Sequence, residues 1–106
     1  MSLTLASAVK SVKVGNQWFV YLLRCNDGTN CCGMTADLRH RISEHKKGQV
    51  RSTASRLPVE LVWYHIFRTV AQARRKELSL KNGKTRKKTI QQMISLFPKE
   101  ALAPFA

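Results

Sequence analysis

The chain has 106 residues and a mass of 12.1 kDa, and nineteen Lys and Arg against six Asp and Glu give it a formal charge of +13. A single domain of this size buries a modest core without disulfides, and so basic a balance costs self-repulsion that a polyanionic partner offsets. Cys25, Cys31 and Cys32 neither pair evenly nor show a zinc spacing, which points to a reduced, cytoplasmic setting, and the longest apolar run, Trp18 to Leu23, is too short to cross a bilayer.

Residues 1–16 have scattered apolar positions and two lysines and read as a loose N-terminal arm. Gln17 to Cys25, rich in aromatic and β-branched residues, reads as a strand. Asn26-Asp27-Gly28 is a hairpin turn, and Thr29 to Met34 returns as a second strand. A three-residue loop with Gly28 in the left-handed region pairs Cys25 with Thr29 and places Tyr21, Leu23 and Cys31 on one face. A two-residue Asp-Gly loop slips the register by one and turns Cys31 to the other face. Ala36 to Lys47, ended by Gly48, is a helix with Leu38 and Ile42 inward and with Arg41 and His45 one turn apart on an inward edge. Residues 49–57 lack periodicity and read as a loop carrying Arg51, Ser52, Thr53 and Arg56. Pro58 introduces a third strand, Val59 to Phe67.

Thr69 to Gly83 is the next helix, with Thr69 and Gln72 at capping-box spacing and Asn82-Gly83 closing it. A last helix runs from about Thr85 to Phe97 with Ile90, Met93, Ile94 and Phe97 on one stripe. Pro98 stops it, and residues 98–106 read as a frayed tail. The order ββαβαα with a small three-stranded antiparallel sheet defines an α+β domain over residues 17–97.

Within the Thr69–Gly83 helix, Val70, Ala73, Glu77 and Leu80 share one face of a 3.6-residue repeat. That inward stripe therefore contains a carboxylate, and burying a charge unpaired is costly. A buried Arg or a metal ion has to hold it, or a salt bridge that only ties the helix to its neighbours. The surrounding charge is one-sided: Arg74, Arg75, Lys76, Lys81, Lys84, Arg86, Lys87 and Lys88 surround Glu77 as the only acid between 74 and 88. So dense a patch favours phosphate contacts over a merely solvated face. No helix pairs a basic face with a broad aromatic-rich one, which argues against a membrane surface.

Taken together, the aromatic strand with Tyr21, the tight turn, the second strand with Cys31-Cys32-Gly33, the helix with Arg41 and His45, and the later Glu77 form an ordered set. This set resembles the GIY-YIG nuclease superfamily, in particular its small stand-alone members, which are related to the N-terminal nuclease domain of a bacterial excision-repair endonuclease. Val20-Tyr21-Leu22 stands at the first signature and Cys31-Cys32-Gly33 at the second. Thr35 to His45 is similar to the helix that supplies the family's catalytic arginine, and Arg75-Lys76-Glu77-Leu78 to the segment that supplies its metal-binding glutamate. Thr53, Arg56 and Pro58 to Val62 are similar to the loop and third strand of the small members.

The resemblance implies hydrolysis of DNA phosphodiester bonds with one divalent cation, Mg²⁺ or Mn²⁺, for which Glu77 is the protein ligand. It implies that Arg41 sets its guanidinium against the scissile phosphate, that Tyr21 orients or deprotonates the attacking water, and that His45 supports the site. Arg51, Thr53, Arg56, Arg74, Lys81, Lys84, Lys87 and Lys88 are the candidate nucleic-acid contacts. A lone module has little surface for reading bases, so the expected substrate is DNA of low sequence specificity, branched or damaged, in repair. Cys31 stands where the family has a second tyrosine, and Ser52 where close members have another. Three arrangements fit that departure: Tyr21 suffices, Cys31 substitutes as base, or catalysis is lost and a nucleic-acid-binding fold remains.

Overall fold

The computed structural model describes residues 17–82 and 87–105. The arm expected over 1–16 lies outside them, as do Gly83, Lys84, Thr85 and Arg86. The elements follow in the order β1 (Trp18–Arg24), β2 (Asn30–Thr35), α1 (Leu38–Lys46), α2 (Arg51–Ala54), β3 (Glu60–Phe67), α3 (Val70–Lys81) and α4 (Lys87–Leu96). This is the α+β arrangement that the sequence predicts, with one addition: part of the expected loop after Gly48 winds into the single turn α2. Among the described residues, no helix is long and apolar enough to cross a membrane.

The three strands form one antiparallel sheet in the order β2-β1-β3. The hairpin takes the three-residue loop. Gly28 sits at φ 84°, and Cys25 and Thr29 are joined by an N–H to carbonyl bond of 2.9 Å. Asp27 supports the turn through its carboxylate, which accepts from the Thr29 N–H and hydroxyl. In this register Leu23 opposes Cys31 and Tyr21 opposes Gly33.

The two faces of the sheet bury separate clusters. On one face Tyr21, Leu23 and Cys25 pack against Leu38 and Ile42 of α1 and against Val59 and Leu61. On the other, Val20, Leu22 and Val62 pack against Ala73 and Leu80 of α3, with Ile90, Met93 and Ile94 of α4 beside them. A bulge at Val62, between the Leu22–Trp63 and Leu23–Leu61 pairs, lets Val62 and Trp63, adjacent in sequence, serve the same face. Thr69 caps α3 as its spacing predicts, accepting from the Gln72 N–H, whereas Asp37, expected inside the first helix, caps α1 by accepting from the His40 N–H.

Two expectations are corrected. Val70 is 48% exposed, because the inward stripe of α3 reaches the sheet only from Ala73 onward. The segment after Pro98, read as frayed, folds into two short 3₁₀ turns, Lys99–Ala101 and Ala103–Phe105. Leu102 and Phe105 join the first cluster, and the carbonyls of Ala101 and Pro104 accept from the Tyr64 hydroxyl and from Arg39. Apolar burial together with those bonds outweighs the fraying that a terminal position alone suggests.

Candidate active site

Tyr21 lies in the central strand and is only 2% exposed. Its ring passes directly over Gly33 on the neighbouring strand, so a Cβ at Gly33 would stand 2.6 Å from the ring carbon bearing the hydroxyl. Gly33 is therefore glycine because an aromatic ring occupies the space of its side chain. The Tyr21 hydroxyl then meets His45 Nε2 at 2.9 Å, and His45 Nδ1 meets the Thr53 hydroxyl at 2.8 Å. Thr53, fully buried, directs its own hydroxyl toward the Val50 carbonyl at 3.5 Å.

This chain of contacts selects a tautomer. If Thr53 donates to Val50, its oxygen accepts from His45 Nδ1–H, and Nε2 is left to accept the Tyr21 proton. Burial and the nearby Arg41 guanidinium lower the His45 pKa to about 4, so the imidazole is neutral at physiological pH. Burial raises the Tyr21 pKa, against the opposing pull of the nearby Arg41 guanidinium. Arg41 is further steered by Glu44, 3.1 Å from Nη1.

Glu77 sits on α3 with 7% of its surface exposed. Its carboxylate faces Lys81 at 3.4 Å and Arg74 at 3.9 Å, both cations themselves half exposed or more. These are loose pairs that leave the oxygens free to rearrange. Glu77 acts electrostatically on Tyr21 from α3, as Arg41 does from α1, so helices on the two faces of the sheet both address one phenol. It also helps to push the Cys32 thiol up to about 12, although burial is the larger cause.

Cys31 is held differently from a poised base. Arg56 Nη2 donates to its sulfur at 2.8 Å, and Cys25 Sγ lies 3.4 Å away. The guanidinium favours a thiolate, but burial and the neighbouring thiol outweigh it and raise the Cys31 pKa.

The candidate nucleic-acid contacts divide. Thr53 has no exposed surface and cannot reach a phosphate; its hydroxyl belongs to His45. Arg56 is also committed: it donates to the Ser52 carbonyl, Thr29 and Cys31 and lies 4.0 Å from Asp27, clamping the hairpin to α2. Arg51 is exposed on α2, Arg74 and Lys81 flank Glu77, and Lys87 and Lys88 are exposed on the first turn of α4. Lys84 lies outside the described residues. The roles of Thr53 and Gly33 are not visible in the sequence, since each depends on a partner brought close only by the fold.

Known proteins place this layout in a family. The GIY-YIG catalytic domain profile matches residues 17–91. A UPF0213 protein of Nitratidesulfovibrio vulgaris is 39% identical over 77 residues, covering 72% of this chain and 70% of that one. A UPF0213 protein of Desulfotalea psychrophila is 40% identical over 76 residues, covering 69% of each. The UPF0213 protein of Bacillus halodurans, solved by solution NMR, is 32% identical, with a TM-score of 0.49 over 76% of this chain and 84% of that one.

Proposed function

Because the chain belongs to the GIY-YIG catalytic domain family, a nuclease family, we propose that it is a divalent-cation-dependent endonuclease cleaving DNA phosphodiester bonds with low sequence specificity, in repair or in processing irregular DNA. The observation that carries this reading is that the Tyr21 hydroxyl bonds His45 of α1 while Arg41 of the same helix and Glu77 of α3 both act on the phenol electrostatically. A merely structural tyrosine needs one partner for its hydroxyl.

The residues present fit the implied cation. Glu77 offers an oxygen-only carboxylate, nearly buried and bound only loosely by two long, exposed side chains, which suits a hard ion that keeps most of its waters. Among the described residues there is no cluster of three His, Cys, Asp or Glu, and in this reading Glu77 is the one protein ligand. Mg²⁺ or Mn²⁺ there would polarise the phosphate and stabilise the leaving oxygen.

The protein's own side chains supply the rest. The Tyr21 oxygen, with its proton directed to His45 Nε2, has a lone pair to accept a hydrogen bond from the attacking water. As the water oxygen bonds to phosphorus and the P–O bond to the leaving strand breaks, the water proton passes to the Tyr21 oxygen and the phenolic proton to Nε2, giving an imidazolium, while the leaving alkoxide takes a proton from solvent. Arg41 turns from Tyr21 to the phosphate and neutralises the charge developing on its oxygens. In this scheme Cys31 takes no proton, consistent with its raised pKa. Lys87 and Lys88 hold flanking phosphates.

The direct test is an assay on branched, nicked and linear DNA with Mg²⁺ or Mn²⁺ and an EDTA control. Glu77→Ala should lose all cleavage yet bind DNA as well or better, because a negative charge facing phosphate is gone. Wild-type cleavage by Glu77→Ala removes the assignment. The second reading, a catalytically inactive nucleic-acid-binding domain, draws on Cys31 standing in for a tyrosine. It predicts DNA binding with no cleavage that Tyr21→Phe could abolish.

A further inference from the structure

A feature of the molecule beyond the candidate active site is a row of rings on the outer strand. Trp63, His65 and Phe67 alternate along β3 and so share one face of it. The Trp63 and His65 rings lie within 15° of parallel with centroids 6.3 Å apart, and Phe67 meets His65 at 4.9 Å and 62°. β3 is an edge strand, and His65 is exposed. An exposed ring between two larger half-buried rings on a sheet edge is more aromatic surface than the core requires.

The row runs into an open groove of about 520 Å³ between the end of β3 and the stripe of α3 formed by Gln72, Arg75, Lys76 and Ser79. Phe67 and Ile66 give the groove its apolar part, while Arg68, Arg75 and Lys76 supply three cations and no lining residue is acidic. Lys76 directly precedes Glu77 on α3, so the helix that carries the candidate metal ligand also lines the groove.

We infer that this groove and ring row bind an unpaired nucleic-acid strand that continues from the active site along α3, with phosphates on Arg68, Arg75 and Lys76 and bases on Phe67, His65 and Trp63. This deepens the nuclease reading and rests on it for the choice of polyanion. A duplex hides its base faces and offers rings nothing to stack on. An acidic peptide would use the cations but leave the rings without a function. An unpaired strand uses both, and base–aromatic stacking tolerates any sequence.

The test is fluorescence anisotropy of labelled oligothymidylate, and of a duplex of equal length, with the full chain in EDTA so that nothing is cleaved. His65→Ala should weaken oligothymidylate binding roughly 5- to 160-fold, the effect of losing one stacked base, and change duplex binding less than about twofold, since no stack is lost there. Arg68→Gln with Arg75→Gln should lower the single-strand salt slope by about 1.4, two contacts at ~0.7 each. The inference is overturned if the parent does not bind oligothymidylate, or if a folded His65→Ala binds it as tightly as the parent. It is also overturned if polyglutamate competes as well as unlabelled oligothymidylate, which assigns the groove to an acidic partner. Cleavage is scored separately: Glu77-dependent cleavage without single-strand binding removes this inference alone, and single-strand binding without cleavage removes the nuclease reading alone.

Discussion

Replacing Thr53 with Val deletes one hydroxyl at constant shape in a site with no exposed surface. The Val50 carbonyl suffers little, because it still accepts from the Thr53 and Ala54 N–H groups at 3.1 and 2.9 Å. The loss falls on His45 Nδ1, whose 2.8 Å partner disappears. A buried donor left unpaired costs about 1–3 kcal/mol, and for a domain of this size each kcal/mol lowers Tm by about 4–8 °C. Thermal unfolding at pH 7 should therefore show Thr53→Val lower by about 5 °C or more, with Thr53→Ser, which keeps the hydroxyl, close to the parent. The same change removes what selects the imidazole tautomer. Nitrogen chemical shifts of His45 should report mainly Nδ1–H in the parent and a mixture in Thr53→Val. Cleavage should fall with the tautomer, within the roughly 10²–10⁴-fold that general-base assistance contributes. An unchanged tautomer together with an unchanged Tm would refute the proton path from Tyr21 through His45 to Thr53.

Gly33→Ala should force the Tyr21 ring aside, costing about 1–3 kcal/mol as overpacking does, and cleavage should fall further than stability, read by assaying the folded variant at low temperature. Lys87→Gln with Lys88→Gln should flatten the dependence of log K on log salt for duplex DNA by about 1.8, two contacts at ~0.9 each; an unchanged slope would mark that end of α4 as a solvated face. Acid should destabilise the protein through His45. Its unfolded imidazole takes a proton near pH 6.5, whereas the folded one does so only at about 4, so the unfolded state binds more protons between those values and stability falls as pH drops through that window. Chemical denaturation at pH 7 and pH 5 should show a decline in the parent that is smaller in His45→Gln.

The parts of this fold legible in the sequence were those governed by local chemistry. Thr69 with Gln72, and Gly48 at φ 77° after α1, announce their helix ends by residue type, and the Ala73, Glu77 and Leu80 stripe is buried as its period requires. The hairpin register was legible only to within two alternatives, because a three-residue and a two-residue loop share the residues Asp27-Gly28 and differ in backbone dihedrals. What the sequence hid was any role fixed by a contact over distance. Thr53 reads as a polar loop residue free to touch phosphate, yet α2 folds it inward onto a histidine eight residues earlier. Arg56 reads as a phosphate ligand, yet the hairpin and the Ser52 carbonyl of α2 together supply acceptors that engage it. The tail looked free because nothing in residues 98–106 signals that Tyr64 and α1 present a surface for Leu102 and Phe105.

Cys31 and Arg56 together explain the position where the family carries its second tyrosine. Cys31 lies on the Tyr21 face of the sheet, and Arg56 reaches its sulfur from the end of α2 while holding Thr29 at 2.7 Å. The guanidinium thus fills space beside the thiol and ties the end of the hairpin to the element that carries Thr53. In the proposed scheme the Cys31 position serves as a strut for the Tyr21–His45–Thr53 path rather than as a separate acid or base. It follows that Cys31→Ser, which keeps an acceptor for Arg56, should preserve both fold and cleavage. Arg56→Met should loosen the hairpin against α2 and lower cleavage through the position of Thr53. Equal cleavage by Arg56→Met and the parent, in the same gel assay, would show that the strut is not needed.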